Sequence, residues 1–139
     1  MRMGKAADEA FQRAQERIAE AERKGMKSLE LTAPEFEALQ KLPEEISRLT
    51  ELTSLNLAGT GVGDLSALSG LTGLTSLSLV GTQVSDLSAL SGLTGLTSLN
   101  LMDTPVSDLS ALSGLKGLTS LNLMDTRVSD VSALFELTG

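Results

Sequence analysis

LTSLNLAGTGVGDLSALSGLTG (residues 52–73), LTSLSLVGTQVSDLSALSGLTG (74–95), LTSLNLMDTPVSDLSALSGLKG (96–117) and LTSLNLMDTRVSDVSALFELTG (118–139) follow one another without a gap. A unit this short cannot bury its own apolar face, so the four copies must stack and share one core, each touching only its neighbours. Within a copy, Leu at positions one, four and six points one way and positions three, five and seven the other, the period of a short strand. Stacking lays these strands side by side and parallel, about 4.8 Å apart, so that equivalent residues form columns. Asp64, Asp86, Asp108 and Asp130 then open a segment ending in Ser-Ala-Leu, where the carboxylate predicts the cap of a single helical or 3₁₀ turn. Glycine near the end of each unit permits the chain to return.

Upstream, Ala7, Phe11, Ala14, Ile18 and Ala21 recur at steps of three and four among Glu, Arg and Gln, which predicts a helix over 5–24 stopped by Gly25. Residues 1–25 are expected to lie over the open end of the stack, hiding its first strand from water. The stripe also fits a coiled-coil seam, but it is under three heptads and mostly Ala. Residues 26–51 read as a divergent first copy, with Met26, Leu29 and Leu31 in the places of Leu52, Leu55 and Leu57. Its extra length predicts a bulge on the convex side, and Pro34, standing where later copies carry Thr, predicts a different turn. Residues 52–139 complete a single-domain chain.

The 139 residues contain neither Cys nor His and only 2% aromatics, so Leu carries the core. Disulfides, thiolate or imidazole zinc sites and any nucleophile relying on a histidine base are excluded, and a non-enzyme is expected. Residues 52–139 hold two basic and seven acidic side chains, a surface that repels phosphate backbones and anionic lipid. Neither nucleic acid nor membrane is an expected partner. No apolar leader stands at the start and no long apolar run occurs, from which a cytoplasmic location is expected. Gly59-Thr60-Gly61-Val62-Gly63 lacks the Lys-Ser/Thr of a phosphate loop, so no cofactor is expected.

The pattern L-x-x-L-x-L-x-x-T-x-V-x-D-L-x-x-L over residues 52–139 resembles the leucine-rich repeat, in the 22-residue variety of bacterial internalins. The resemblance implies an α/β fold, a right-handed solenoid with a parallel concave sheet, short turns on the convex side and an N-terminal capping helix. It departs in one respect: the family's Asn at position nine is Thr60, Thr82, Thr104 and Thr126, which predicts a thinner side-chain ladder between copies. Arg17–Ala21, Ser28–Leu31 and Leu42–Ile46 resemble the start of the repeat region in bacterial Roco proteins, a shorter likeness.

Neighbouring copies differ at only four or five positions, and the first three copies chiefly at five, seven, eight and ten. The resemblance implies partner binding there, on the concave face, with drift after recent duplication as the open alternative. The partner-facing candidates are Asn56, Ala58, Ser78, Val80, Asn100, Met102, Asp103, Asn122, Met124, Asp125 and Arg127. Position seven grows from Ala58 through Val80 to Met102 and Met124, and two adaptable thioethers beside Asp103 and Asp125 suit an unidentified protein partner. The column of capping Asp is chemistry that Ca²⁺ uses, but Asp before Ser at a turn satisfies backbone amides, so no metal is expected. The expected function is a non-catalytic interaction scaffold, alone or as the recognition arm of a larger bacterial protein such as a Roco-type GTPase. The alternative is a structural unit that self-associates through an open C-terminal edge. Phe135 and Glu136 replace the Ser-Gly of earlier copies at that end, and Phe135 is the candidate contact for a monomer or weak end-to-end dimer.

Overall fold

The computed structural model describes residues 4–137, with the side chain of Glu136, the first three residues and the last two lying outside the description. Five three-residue strands, β1 (Ser28–Glu30), β2 (Ser54–Asn56), β3 (Ser76–Ser78), β4 (Ser98–Asn100) and β5 (Ser120–Asn122), form one sheet in chain order. Every pairing is parallel, and the register places Leu29, Leu55, Leu77, Leu99 and Leu121 in one column. Leucines at positions one, four and six of the first three regular copies are fully buried, as are Val62, Val84 and Val106.

On the opposite side each copy makes a 3₁₀ turn: Ser66–Leu68, Ser88–Leu90, Ser110–Leu112 and Ser132–Glu136. The aspartate two residues before each turn accepts a hydrogen bond from its first amide, at 2.9 Å from Ser66, Ser88, Ser110 and Ser132 to Asp64, Asp86, Asp108 and Asp130. That amide, with help from the serine hydroxyl, holds each carboxyl below the usual aspartate value. All four therefore stay charged at neutral pH. The first copy has a longer turn, Glu44–Arg48, which is the bulge its length implies, and its loop after β1 passes through a cis Ala33–Pro34 bond.

Two expectations are corrected. Position-nine threonines make no side-chain ladder: each hydroxyl turns back on its own copy, donating to the position-six carbonyl at 2.9, 2.8, 2.7 and 2.7 Å for Thr60, Thr82, Thr104 and Thr126. The reason is reach, since a hydroxyl one bond from Cβ meets the carbonyl three residues back before anything on the next rung. The hydroxyl ladder between copies lies instead at position two, where Thr53 donates to Lys27 O, Thr75 to Thr53 O, Thr97 to Thr75 O and Thr119 to Thr97 O, at 3.1–3.2 Å.

α1 (Lys5–Lys24) ends at Gly25, whose φ of 61° is the left-handed stop glycine supplies without strain. Its buried face is Ala7, Ala10, Ala14, Ile18 and Ala21. Ala10 thus replaces Phe11, which is half-buried at the border of that face. Arg17 does more than pack. Its guanidinium lies 5.1 Å from the Phe36 ring centroid, pairs with Glu35 at 3.0 Å and donates to the Glu30 carbonyl at 3.3 Å. Between later copies that carbonyl position accepts a strand amide, as Asn56 O accepts Leu31 N–H at 2.9 Å. Arg17 therefore stands in for a preceding rung. Among the described residues no helix is long and apolar enough to cross a membrane.

Candidate functional site

In the four regular copies the sheet's outer face carries three columns: serine at position three, Asn or Ser at five, and an increasingly apolar position seven, with Glu30 and Thr32 in the last two columns on the first copy. Asn56, Asn100 and Asn122 are tied to the backbone. Each Oδ1 accepts the amide two residues on, from Ala58 at 3.0 Å, Met102 at 3.1 Å and Met124 at 2.9 Å. This directs the amide nitrogens outward as donors, and Asn122 Nδ2 comes within 4.0 Å of Met102 Sδ. Ser78 and Val80 continue the same columns in the second copy, half-buried like Asn56 and Ala58.

The thioethers are not equivalent. Met102 is half-buried between rungs, whereas Met124 is 62% exposed. Position eight explains another part of the variation, because Gly59, Gly81, Asp103 and Asp125 all have positive φ, between 57° and 78°. Glycine adopts that conformation freely and Asp is among the few other residues that tolerate it. The column is restricted by backbone geometry before any partner acts on it.

The loops after β3, β4 and β5 enclose an open hollow lined by Thr82, Gln83, Asp103, Pro105, Asp125 and Arg127. Position-ten amides link rungs here, from Gln83 to Val62 O at 3.0 Å and from Arg127 to Val106 O at 2.9 Å, while Pro105 has no N–H to give. The structure thus gathers Met102, Asp103, Met124, Asp125 and Arg127 at the C-terminal half of the face. Asn56, Ala58, Ser78 and Val80 lie on its smoother N-terminal half. Gln83 was visible only as one more variable residue, and invariant Thr82 gave no signal of lining the hollow. Phe135 sits apart, on the last 3₁₀ turn and 79% exposed, so it covers nothing at the end of the stack.

Crowding separates the two glycines of position eight. A Cβ at Gly59 would stand 2.6 Å from Ala33 Cβ, whereas at Gly81 the nearest atoms are 3.8 Å away. Gly81→Asn should cost no more than about 1 kcal/mol and Gly59→Asn roughly 3 kcal/mol, read from urea midpoints. Equal losses would show that conformation alone governs the column.

A fold of parallel rungs, Asp-capped convex turns and an Arg-clasped helix over one end defines a class. The chain is a leucine-rich-repeat protein with internalin-like repeats. A model for two leucine-rich repeats matches residues 50–92. Among solved structures the chain is similar to an internalin (inlF) of Listeria monocytogenes, at 32% identity and TM-score 0.75 over 96% of this chain. That match takes in 41% of the internalin, so the chain spans less than half of that relative's length. Internalin C2 (inlC2) of the same organism aligns at 22% identity and TM-score 0.51, over 96% of this chain and 89% of that one, a likeness of fold alone. TLR13, solved in complex with ssRNA13, aligns at 29% identity and TM-score 0.58 over 70% of this chain and 15% of its own. No curated protein matches the chain in sequence. Folds of this class generally mediate protein–protein interaction.

Proposed function

We propose that the chain binds another protein through the outer, concave face of its sheet, with the contact centred on Met102, Asp103, Met124, Asp125 and Arg127. The observation that carries this reading is Met124, a large apolar side chain 62% exposed, with Asp103 and Asp125 beside it at positive φ. Met adapts its shape to a partner, and the flanking Asp residues favour a partner with basic groups around an apolar contact. The excess of acid over base in residues 52–139 supports protein over nucleic acid. The role is non-catalytic, supported by the absence of His and Cys from the sequence.

The test is affinity capture from source cells with wild-type chain and with Met102→Ala/Met124→Ala. The double variant should lose about tenfold or more of the captured partner, as hot-spot truncation does, while its melting temperature stays within a few degrees. Undiminished capture by the folded variant would sink the proposal.

A further inference from the structure

We infer that the partner meets the concave face as an extended segment carrying two basic side chains four residues apart, one entering a hollow beside Glu30 and the other the hollow beside Asp103. The inference rests on the concave-face reading above and adds the chemistry of what is bound. At the first rung a hollow bordered by Glu30, Thr32, Ala33, Glu35 and Arg17 opens along the same loop margin of the sheet as the one at Asp103. The two are alike in charge. Each holds two carboxylates and one guanidinium: Glu30, Glu35 and Arg17 in the first, Asp103, Asp125 and Arg127 in the second. Glu35 is paired with Arg17 at 3.0 Å, which leaves the Glu30 carboxylate as the unmatched charge. Among the described residues neither Asp103 nor Asp125 has an ion pair, and Arg127 can balance only one of them. Both hollows thus carry one negative charge in excess, which a single ammonium or guanidinium from outside would offset.

Between the hollows the face is uncharged and low. Asp64 and Asp86 are the only charged side chains of residues 52–102, and both cap turns on the opposite side. Gly59 and Gly81 add no side chain at position eight, so a main chain can lie close across Ala58 and Val80. Span selects the conformation of that main chain. β1 and β4 are three rungs apart, about 14 Å at about 4.8 Å per rung. In an extended chain side chains i and i+4 share a face at about 14 Å, so they reach both hollows. A helix offers about 10 Å at i+7 and about 16 Å at i+11 on one face, and its side chains at the intermediate distance point away. Hydrogen bonding selects the same occupant. The amide nitrogens of Asn56 and Asn100 have no acceptor among the described residues, and an extended segment brings free carbonyls that a helix has already used.

The test is fluorescence anisotropy of the full chain at low ionic strength with two labelled peptides of equal length and charge. One is centred on Arg-Thr-Val-Thr-Arg; the other is an alanine-rich helix former with its two arginines at i and i+7. The first should bind about tenfold tighter than the second. Glu30→Gln and Asp103→Asn, both at exposed side chains, should each weaken it by about fivefold, and Glu9→Gln, exposed on α1, should leave it unchanged. Asn tolerates the positive φ of Asp103, so that variant keeps the loop. Equal binding of the two peptides, tighter binding of the helical one, no measurable binding of either, or Glu30 and Asp103 variants that bind like the intact chain would overturn the inference. Capture that falls with Met102→Ala/Met124→Ala beside indifference to the dibasic peptide would keep the concave-face reading and reject this one.

Discussion

Leu79→Ala should destabilise the chain by about 3 kcal/mol, whereas Leu123→Ala, the same change at position six two copies later, should cost only about 1 kcal/mol. Leu79 is fully buried between rungs, so its removal leaves a cavity that neither neighbour can close. Among the described residues Leu123 has a neighbouring rung on one side only, and it is half-buried. In a linear stack stability is a sum of each rung's own terms and those it shares with its neighbours, so an internal deletion damages two interfaces and a terminal one damages one. Urea denaturation of the single variants at low protein concentration reads the difference. Equal losses would mean that the last rung is as firmly held as the second, which its half-buried leucines contradict.

The rungs were legible in the sequence because repetition reveals them: four leucine patterns in one frame fix both period and register, and Asp before Ser-Ala-Leu announces each convex turn. The candidate site was less legible, because a single side chain can satisfy its own backbone and face a partner at once. Asn56 and Asn100 vary with Ser78 as a recognition column would, yet their Oδ1 atoms are engaged with the main chain. Asp103 differs from Gly81 as drift would allow, yet the two share a positive φ, a property that composition does not display. The Arg17 clasp was hidden for another reason. Only the folded chain brings residue 17 to the carbonyl of residue 30, and no periodicity links them. Position-two Thr, invariant and outwardly unremarked, holds successive rungs together because the register repeats it in line with the preceding carbonyl.

Removal of residues 1–25 should destabilise the chain and make it aggregate. α1 buries Ile18 and four alanines against the first copy, and losing that burial alone removes on the order of 5 kcal/mol. The uncovered surface includes Phe36 and Ile46, both at most 1% exposed in the intact chain. Arg13 and Gln15 leave as well, freeing the Glu35 carbonyl and the Glu45 carboxylate that they bind at 3.0 and 2.9 Å. Without Arg17 the Glu30 carbonyl is open, and β1 presents the kind of edge that every later strand offers its predecessor. An uncovered strand edge beside exposed apolar surface invites pairing with further chains, so association does not stop at a defined size. Light scattering should therefore rise with time and concentration for the truncated chain while its melting temperature falls by ten degrees or more, by the usual scaling of about 4–8 °C per kcal/mol in a small domain. A truncated chain that stays soluble and melts with the intact one would show that the first rung seals its own end, and the role assigned to α1 would be lost.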